Sequence, residues 1–222
     1  MPLRDSRRLS AHSFGLLPLL LLGIAPSPSE AQVATTQRDA WQKVDEIFAA
    51  LQVEEGDWIA DVGAGSGFFS FRLSPRVGPS GKVIAQDIDA GVLAELRDEA
   101  RREGIDNIET VVGATDDPRL PEGSLDGVLI VNAYHEMREY DAMLGGIKRA
   151  LRPGGRLVIV DMPPADESAS RRSQVQQHDI AIGIVVRDLV AGGFEVTRQV
   201  PAFIDAGRRR NWLLVAVVPD GR

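Results

Sequence analysis

Cysteine is absent from this 222-residue chain. That excludes disulfides, thiolate metal sites, a cysteine nucleophile and a lipoprotein anchor. Histidine is scarce: His12, His135 and His178 do not easily build a zinc site without carboxylates, and no metal is expected. Aromatic residues make up only 5% of the chain, so neither a cage for a quaternary amine nor a stacking platform for bases is visible. Positive charge is outweighed, with 25 Lys and Arg against 32 Asp and Glu, a net charge of -7. This balance argues against nucleic acid as a partner. No internal repeat is visible, and the length suits one domain with extensions.

The N-terminal residues differ from the rest. Arg4, Arg7 and Arg8 precede an apolar stretch, Phe14 to Ala25, that is short for a membrane-spanning helix. Ser29-Glu30-Ala31 then offers a small-x-small cleavage site. This is the layout of a secretory signal peptide, so residues 1–31 are expected to be removed and the protein exported to the periplasm. The alternatives are an uncleaved anchor, with membrane contact through this segment alone, or a start codon set too early for a cytoplasmic chain. Residues 32–53 form a helical extension, and residues 54–222 form the main domain.

Within that domain, apolar runs alternate with amphipathic segments. Strands are predicted at Trp58 to Val62, Lys82 to Gln86, Ile108 to Val112, Leu125 to Val131 and Arg156 to Val160. Helices are predicted at Asp39 to Leu51, Phe68 to Val77, Ala90 to Arg102, Glu136 to Leu151 and Ser173 to Ala191. Phe194 to Val200 and Trp212 to Val218 read as two closing strands, joined by a link that suits a hairpin. The pattern implies an α/β fold: a Rossmann-like, doubly wound, mostly parallel seven-stranded sheet with an antiparallel C-terminal hairpin. Ligands in such sheets bind at the carboxyl ends of the strands. The residues to watch are therefore Gly63 to Gly67, Asp87, Ala114 to Asp117, Asn132 to Glu136, and Asp161.

The first strand runs straight into Gly63-Ala64-Gly65-Ser66-Gly67. A dinucleotide fingerprint needs a small residue at position 68, where this chain has Phe68. The spacing Asp61-x-Gly63-x-Gly65-x-Gly67 instead resembles the first motif of class I S-adenosylmethionine-dependent methyltransferases. Val83 to Asp89, the turn and strand from Leu151 to Asp161, and the terminal hairpin resemble further parts of that family. The broad group of small-molecule and ubiquinone- or menaquinone-biosynthesis-like methyltransferases is the most similar.

The resemblance implies S-adenosylmethionine as cofactor and a small molecule as methyl acceptor. It implies that Asp87 binds the ribose hydroxyls and that Asp61 anchors the loop and reaches the methionine amino group. Gly63, Ala64, Gly65 and Gly67 make room for the cofactor, and Ile88 lies beside adenine. Asp116 or Asp117 meets the adenine amine, and Asn132 lines the methionine end. Tyr134, His135 and Glu136 orient or deprotonate the acceptor. Glu136 also fits a helix N-terminus, where a carboxylate pairs with the dipole. His178, among apolar residues at helical spacing, reads either as a half-buried packing residue or as a group overhanging the site. Arg171 and Arg172 are candidates to clamp an anion. The competing functional reading is a sensor or scaffold that binds the cofactor without turnover.

Overall fold

The computed structural model describes residues 37–207 and 209–219. The expected signal segment, His12 and Arg208 lie outside the described residues. Among the described residues, no helix is long and apolar enough to cross a membrane.

The elements follow in the order α1 (Val44–Leu51), β1 (Trp58–Val62), α2 (Ser70–Val77), β2 (Lys82–Asp87), α3 (Ala90–Arg102), β3 (Ile108–Val112) and β4 (Leu125–Val131). A 3-10 turn (Tyr134–Glu136) leads to α4 (Tyr140–Ala150), β5 (Leu151–Asp161), α5 (Arg171–Gln176), α6 (Ile182–Ala191), β6 (Glu195–Ala206) and β7 (Arg209–Val217). One seven-stranded sheet has the order β3-β2-β1-β4-β5-β7-β6. All pairings are parallel except those of β7, which runs antiparallel to both β5 and β6.

Both faces of the sheet are covered, which is why its strands are apolar at successive positions. Ala60, Val62, Val128, Ile130, Leu157, Ile159 and Leu214 face the layer built by α4 and α6. Their neighbours Ile59, Leu129, Val158, Val160, Leu213 and Val215 face the layer built by α1 and α2. The period of two along each strand divides these residues between the two cores. The strand order reverses between β1 and β4, and this switch point opens a crevice at their carboxyl ends.

Three expected helices are interrupted. The segment expected to be helical over Asp39 to Leu51 breaks at Lys43, which takes a left-handed conformation (φ 54°). The helix expected from Glu136 splits into the 3-10 turn and α4. The helix expected over Ser173 to Ala191 is two helices, α5 and α6, separated by a turn in which His178 is left-handed (φ 57°). Its apolar spacing is helical, but buried Gln174 holds the chain in a turn there. The amide nitrogen of Gln174 donates to the carbonyls of Glu167 and Ala169, and its oxygen accepts the N–H of Ala181. Strand β5 also begins earlier than expected, at Leu151 rather than Arg156.

Candidate active site

The crevice at the switch point holds a cavity of about 540 Å³, within the range of small-molecule sites. Val62, Gly63, Gln86, Asp87, Ile88, Ala114, Thr115, Asn132, Ala133, Glu136 and Met137 line it, with Arg138 and Met143. The loops after β1, β2, β3 and β4 thus meet in one place, as the sequence implied.

The glycine loop is shaped by its backbone. Gly63 has φ +75°, and a Cβ there would come within 2.5 Å of the Ala133 Cβ. Only glycine lets the β1 and β4 loops approach so closely. The N–H groups of Gly63 and Ala64 both donate to the Gln86 carbonyl, at 2.9 and 3.0 Å. Gly65 N–H donates to Asp87 Oδ2 (2.9 Å), and Asp89 N–H donates to Asp87 Oδ1 (3.0 Å). Two backbone donors therefore fix the Asp87 carboxyl at the cavity wall, and a carboxylate has further lone pairs for a ligand. Phe68 does not fill the loop. Its ring lies between the guanidinium groups of Arg38 and Arg72, 3.6 and 3.7 Å from its centroid.

Asp61 is 2% exposed and accepts the Ser70 hydroxyl at 2.6 Å. Burial pushes its pKa up to about 6, and the nearby charge of Asp87 adds to this. It anchors the loop from behind and does not itself line the cavity. Ile88 is 58% exposed at the rim, as a surface for a flat ring requires. Neither Asp116 nor Asp117 lines the cavity; Ala114 and Thr115 do. Asp117 instead caps its own loop by accepting the N–H of Arg119. Asn132 lines the cavity in a left-handed conformation (φ 52°), and its Oδ1 accepts from Asn211 Nδ2 (2.7 Å) on β7.

The turn after β4 carries the polar array. His135 is 3% exposed, and fully buried Asp161, at the end of β5, holds it twice. Asp161 Oδ1 lies 2.7 Å from His135 Nδ1, and Asp161 Oδ2 accepts the His135 backbone N–H at 3.0 Å. The other ring nitrogen, Nε2, lies 3.2 Å from Glu136 Oε1. Burial disfavours the charged imidazole, but the hydrogen bond and charge of Asp161, with Glu136, outweigh it and raise the His135 pKa. His178 is exposed, not half-buried among apolar residues, and its Nδ1 hydrogen-bonds Glu136 Oε1. The two imidazole rings stand edge to face, 5.9 Å apart. The His178 bond, together with His135, holds the Glu136 carboxyl below the usual range.

Tyr134 is turned away from this array. It is fully buried, and its hydroxyl donates to Asp188 on α6 (2.9 Å). Burial first, then Asp188, pushes the phenol far up, so it stays protonated and is no base. Arg171 pairs with the same Asp188 and covers the Tyr140 ring, so it is structural rather than an anion clamp. Sequence reasoning marked Asp161 by its place after a strand but gave it no role. It missed Asp179, Asn211 and Gln86, for which no local motif exists.

Residues 59–155 match the family described as methyltransferase domain. Over 110 residues the chain is 36% identical to the ubiquinone/menaquinone biosynthesis C-methyltransferase UbiE of Hahella chejuensis, spanning 49% of this chain and 44% of that protein. It is 27% identical over 121 residues to the demethylmenaquinone methyltransferase of Listeria welshimeri, spanning 54% of this chain and 50% of that one. The chain thus spans about half the length of the relatives it matches. A SAM dependent methyltransferase from Aquifex aeolicus superposes with a TM-score of 0.69 at 22% identity, covering 84% of this chain and 97% of that one. The [4+2]-cyclase SpnF superposes at 0.71 with 18% identity, covering 83% of each chain. These two likenesses speak for the fold. With its sheet order and its glycine loop, the chain has the fold of S-adenosylmethionine-dependent methyltransferases and is similar over residues 59–155 to a methyltransferase domain.

Proposed function

We propose that this chain transfers a methyl group from S-adenosylmethionine to a small-molecule acceptor. One observation carries the reading: the cavity runs from the backbone-fixed Asp87 carboxyl to Glu136, which touches the His135–Asp161 pair. When bound, the cofactor supplies a methyl carbon activated by its sulfonium. The chain's own residues bind and orient. Asp87 accepts the ribose hydroxyls, because a carboxylate accepts two O–H bonds strongly. Ile88 covers the adenine face, and Gly63 and Asn132 border the methionine end. Glu136 faces the acceptor, with buried His135 behind it, and the pair positions the acceptor and holds its proton. By their names the Hahella relative is a C-methyltransferase of ubiquinone and menaquinone biosynthesis and the Listeria one a demethylmenaquinone methyltransferase, which supports a quinone-type ring as acceptor here.

The second reading is a cofactor-binding protein without turnover, since fold does not fix chemistry. Calorimetric titration with S-adenosylmethionine tests both. Micromolar binding lost in Asp87→Ala supports the site, and methyl transfer to a quinol-type acceptor then separates enzyme from sensor. A folded protein that binds no cofactor ends both readings. The leader-like layout of residues 1–31 supports export. A reporter fused after Val33 is expected to be active only outside the cytosol, and a wholly cytosolic signal refutes this.

A further inference from the structure

The structure places three ligand-type side chains together that the sequence holds 42 residues apart. His135, Glu136 and His178 each offer one ligand atom, and all three atoms lie within 4.8 Å of one another. We infer that they form a binding site for one divalent transition-metal ion of the zinc type, beside the cavity at its Glu136 wall.

Four features of the array suit a metal better than a chain of hydrogen bonds. Two imidazoles and one carboxylate are the donor set of open, reactive zinc sites, which leave a position for water or substrate. Ligand atoms about 2.1 Å from a tetrahedral ion stand roughly 3.4 Å apart. His135 Nε2 and Glu136 Oε1 are 3.2 Å apart, and His178 Nδ1, now hydrogen-bonded to the same oxygen at 2.5 Å, has to draw back by about 1 Å to join them. Asp161 is the outer-shell partner that metal-bound histidines usually have: it takes the Nδ1 side of His135 and leaves Nε2 for the ion. The fourth feature is independent of the three ligands. Asp179 Oδ1 is buried and has no hydrogen-bond partner, next in sequence to His178 and close enough for the charges of His135 and Asp161 to act on it. An unpaired buried carboxyl oxygen on the residue after a ligand adds to the negative charge available to a cation there. His178 reaches the cluster only because the turn between α5 and α6 puts it in the left-handed region.

This inference rests on the methyltransferase reading for its use but not for its test. Of the three residues Glu136 lines the cavity, so an ion held here would meet an acceptor on that side. An acceptor hydroxyl that binds it forms a metal–oxygen bond and gives up its O–H proton to solvent, with no change in oxidation state. In a phenol or enol, the resulting anion is nucleophilic at oxygen and at the adjacent carbon. The ion thus selects acceptors with an acidic hydroxyl next to the reacting atom.

The test uses the full chain, stripped with a chelator and titrated with Zn²⁺ by calorimetry, and with Co²⁺ by its visible absorption. One ion per chain is expected, with a tetrahedral or five-coordinate cobalt spectrum. His178→Ala and Glu136→Gln, both at exposed positions, are expected to weaken binding by at least ~100-fold. Asp161→Asn, outside the ligand set, is expected to weaken it by ~10–100-fold. No stoichiometric binding, or binding that both exposed variants retain, overturns the site. Each variant's fold is checked by its circular dichroism spectrum and thermal unfolding. Metal binding without cofactor binding overturns the methyltransferase reading and leaves the site standing. Cofactor binding without metal binding does the reverse.

Discussion

Replacing Asp61 with asparagine should make the cofactor-free protein more stable at neutral pH. Asp61 is fully surrounded by protein, and burial raises its pKa from 3.8 to about 6. A carboxyl whose folded pKa lies above its unfolded value makes the folded state hold the proton more tightly. Stability is therefore lost as pH rises from about 3.8 to about 6 and does not return above it. At about 1.36 kcal/mol per pH unit, the loss from this one group approaches about 3 kcal/mol. About 2 kcal/mol of it falls between pH 4.5 and 7.5. Asparagine keeps an oxygen to accept the Ser70 hydroxyl and carries no charge. Urea unfolding of both proteins at pH 4.5, 6 and 7.5 measures the effect. The variant is expected to gain about 2 kcal/mol on the wild type across this range. Other titrating groups, His135 among them, are common to both proteins and cancel. Parallel pH profiles would refute the reasoning. The same substitution should weaken S-adenosylmethionine binding by ~10-fold or more, because the charged anchor behind the glycine loop is gone. Stability and function then move in opposite directions at one residue, as expected where a site holds a buried charge.

Three further outcomes follow from the packing. Gly63→Ala puts a Cβ against Ala133 at a left-handed φ, so it should cost ~1–3 kcal/mol in thermal unfolding and abolish cofactor binding. Adding Ala133→Gly relieves the contact but not the backbone strain, and should recover only part of the loss. Tyr134→Phe removes the hydrogen bond to Asp188 and should cost ~1–2 kcal/mol by denaturant unfolding, with cofactor affinity unchanged. A changed affinity would place Tyr134 in the site. Leu214→Ala, on β7 in the centre of one core, should cost ~2–5 kcal/mol. A smaller loss would mean that the antiparallel hairpin carries little of the fold's stability.

The sequence by itself determined the strands, the sheet class and the cofactor end of the site. Strands buried on both faces are apolar at successive positions, so β1 and β4 announce themselves without a partner. The glycine loop and Asp87 are legible for a similar reason: their roles depend on backbone geometry within a few residues of a strand end. The acceptor end was legible only in part: His135 and Glu136 were marked after β4, but not their contact with His178. His178 has helical apolar neighbours, and its departure into a left-handed turn is imposed by buried Gln174, whose partners at Glu167, Ala169 and Ala181 are set by tertiary packing. Asp116 and Asp117 carried the right charge at the right loop, yet the chain turned them off the cavity wall. The three-residue array of His135, Glu136 and His178 exists only because α5 and α6 fold back over the β4 turn. Local sequence encodes conformations that neighbouring residues can enforce. Convergence of side chains from strands and turns far apart in the chain is decided only by how the layers pack.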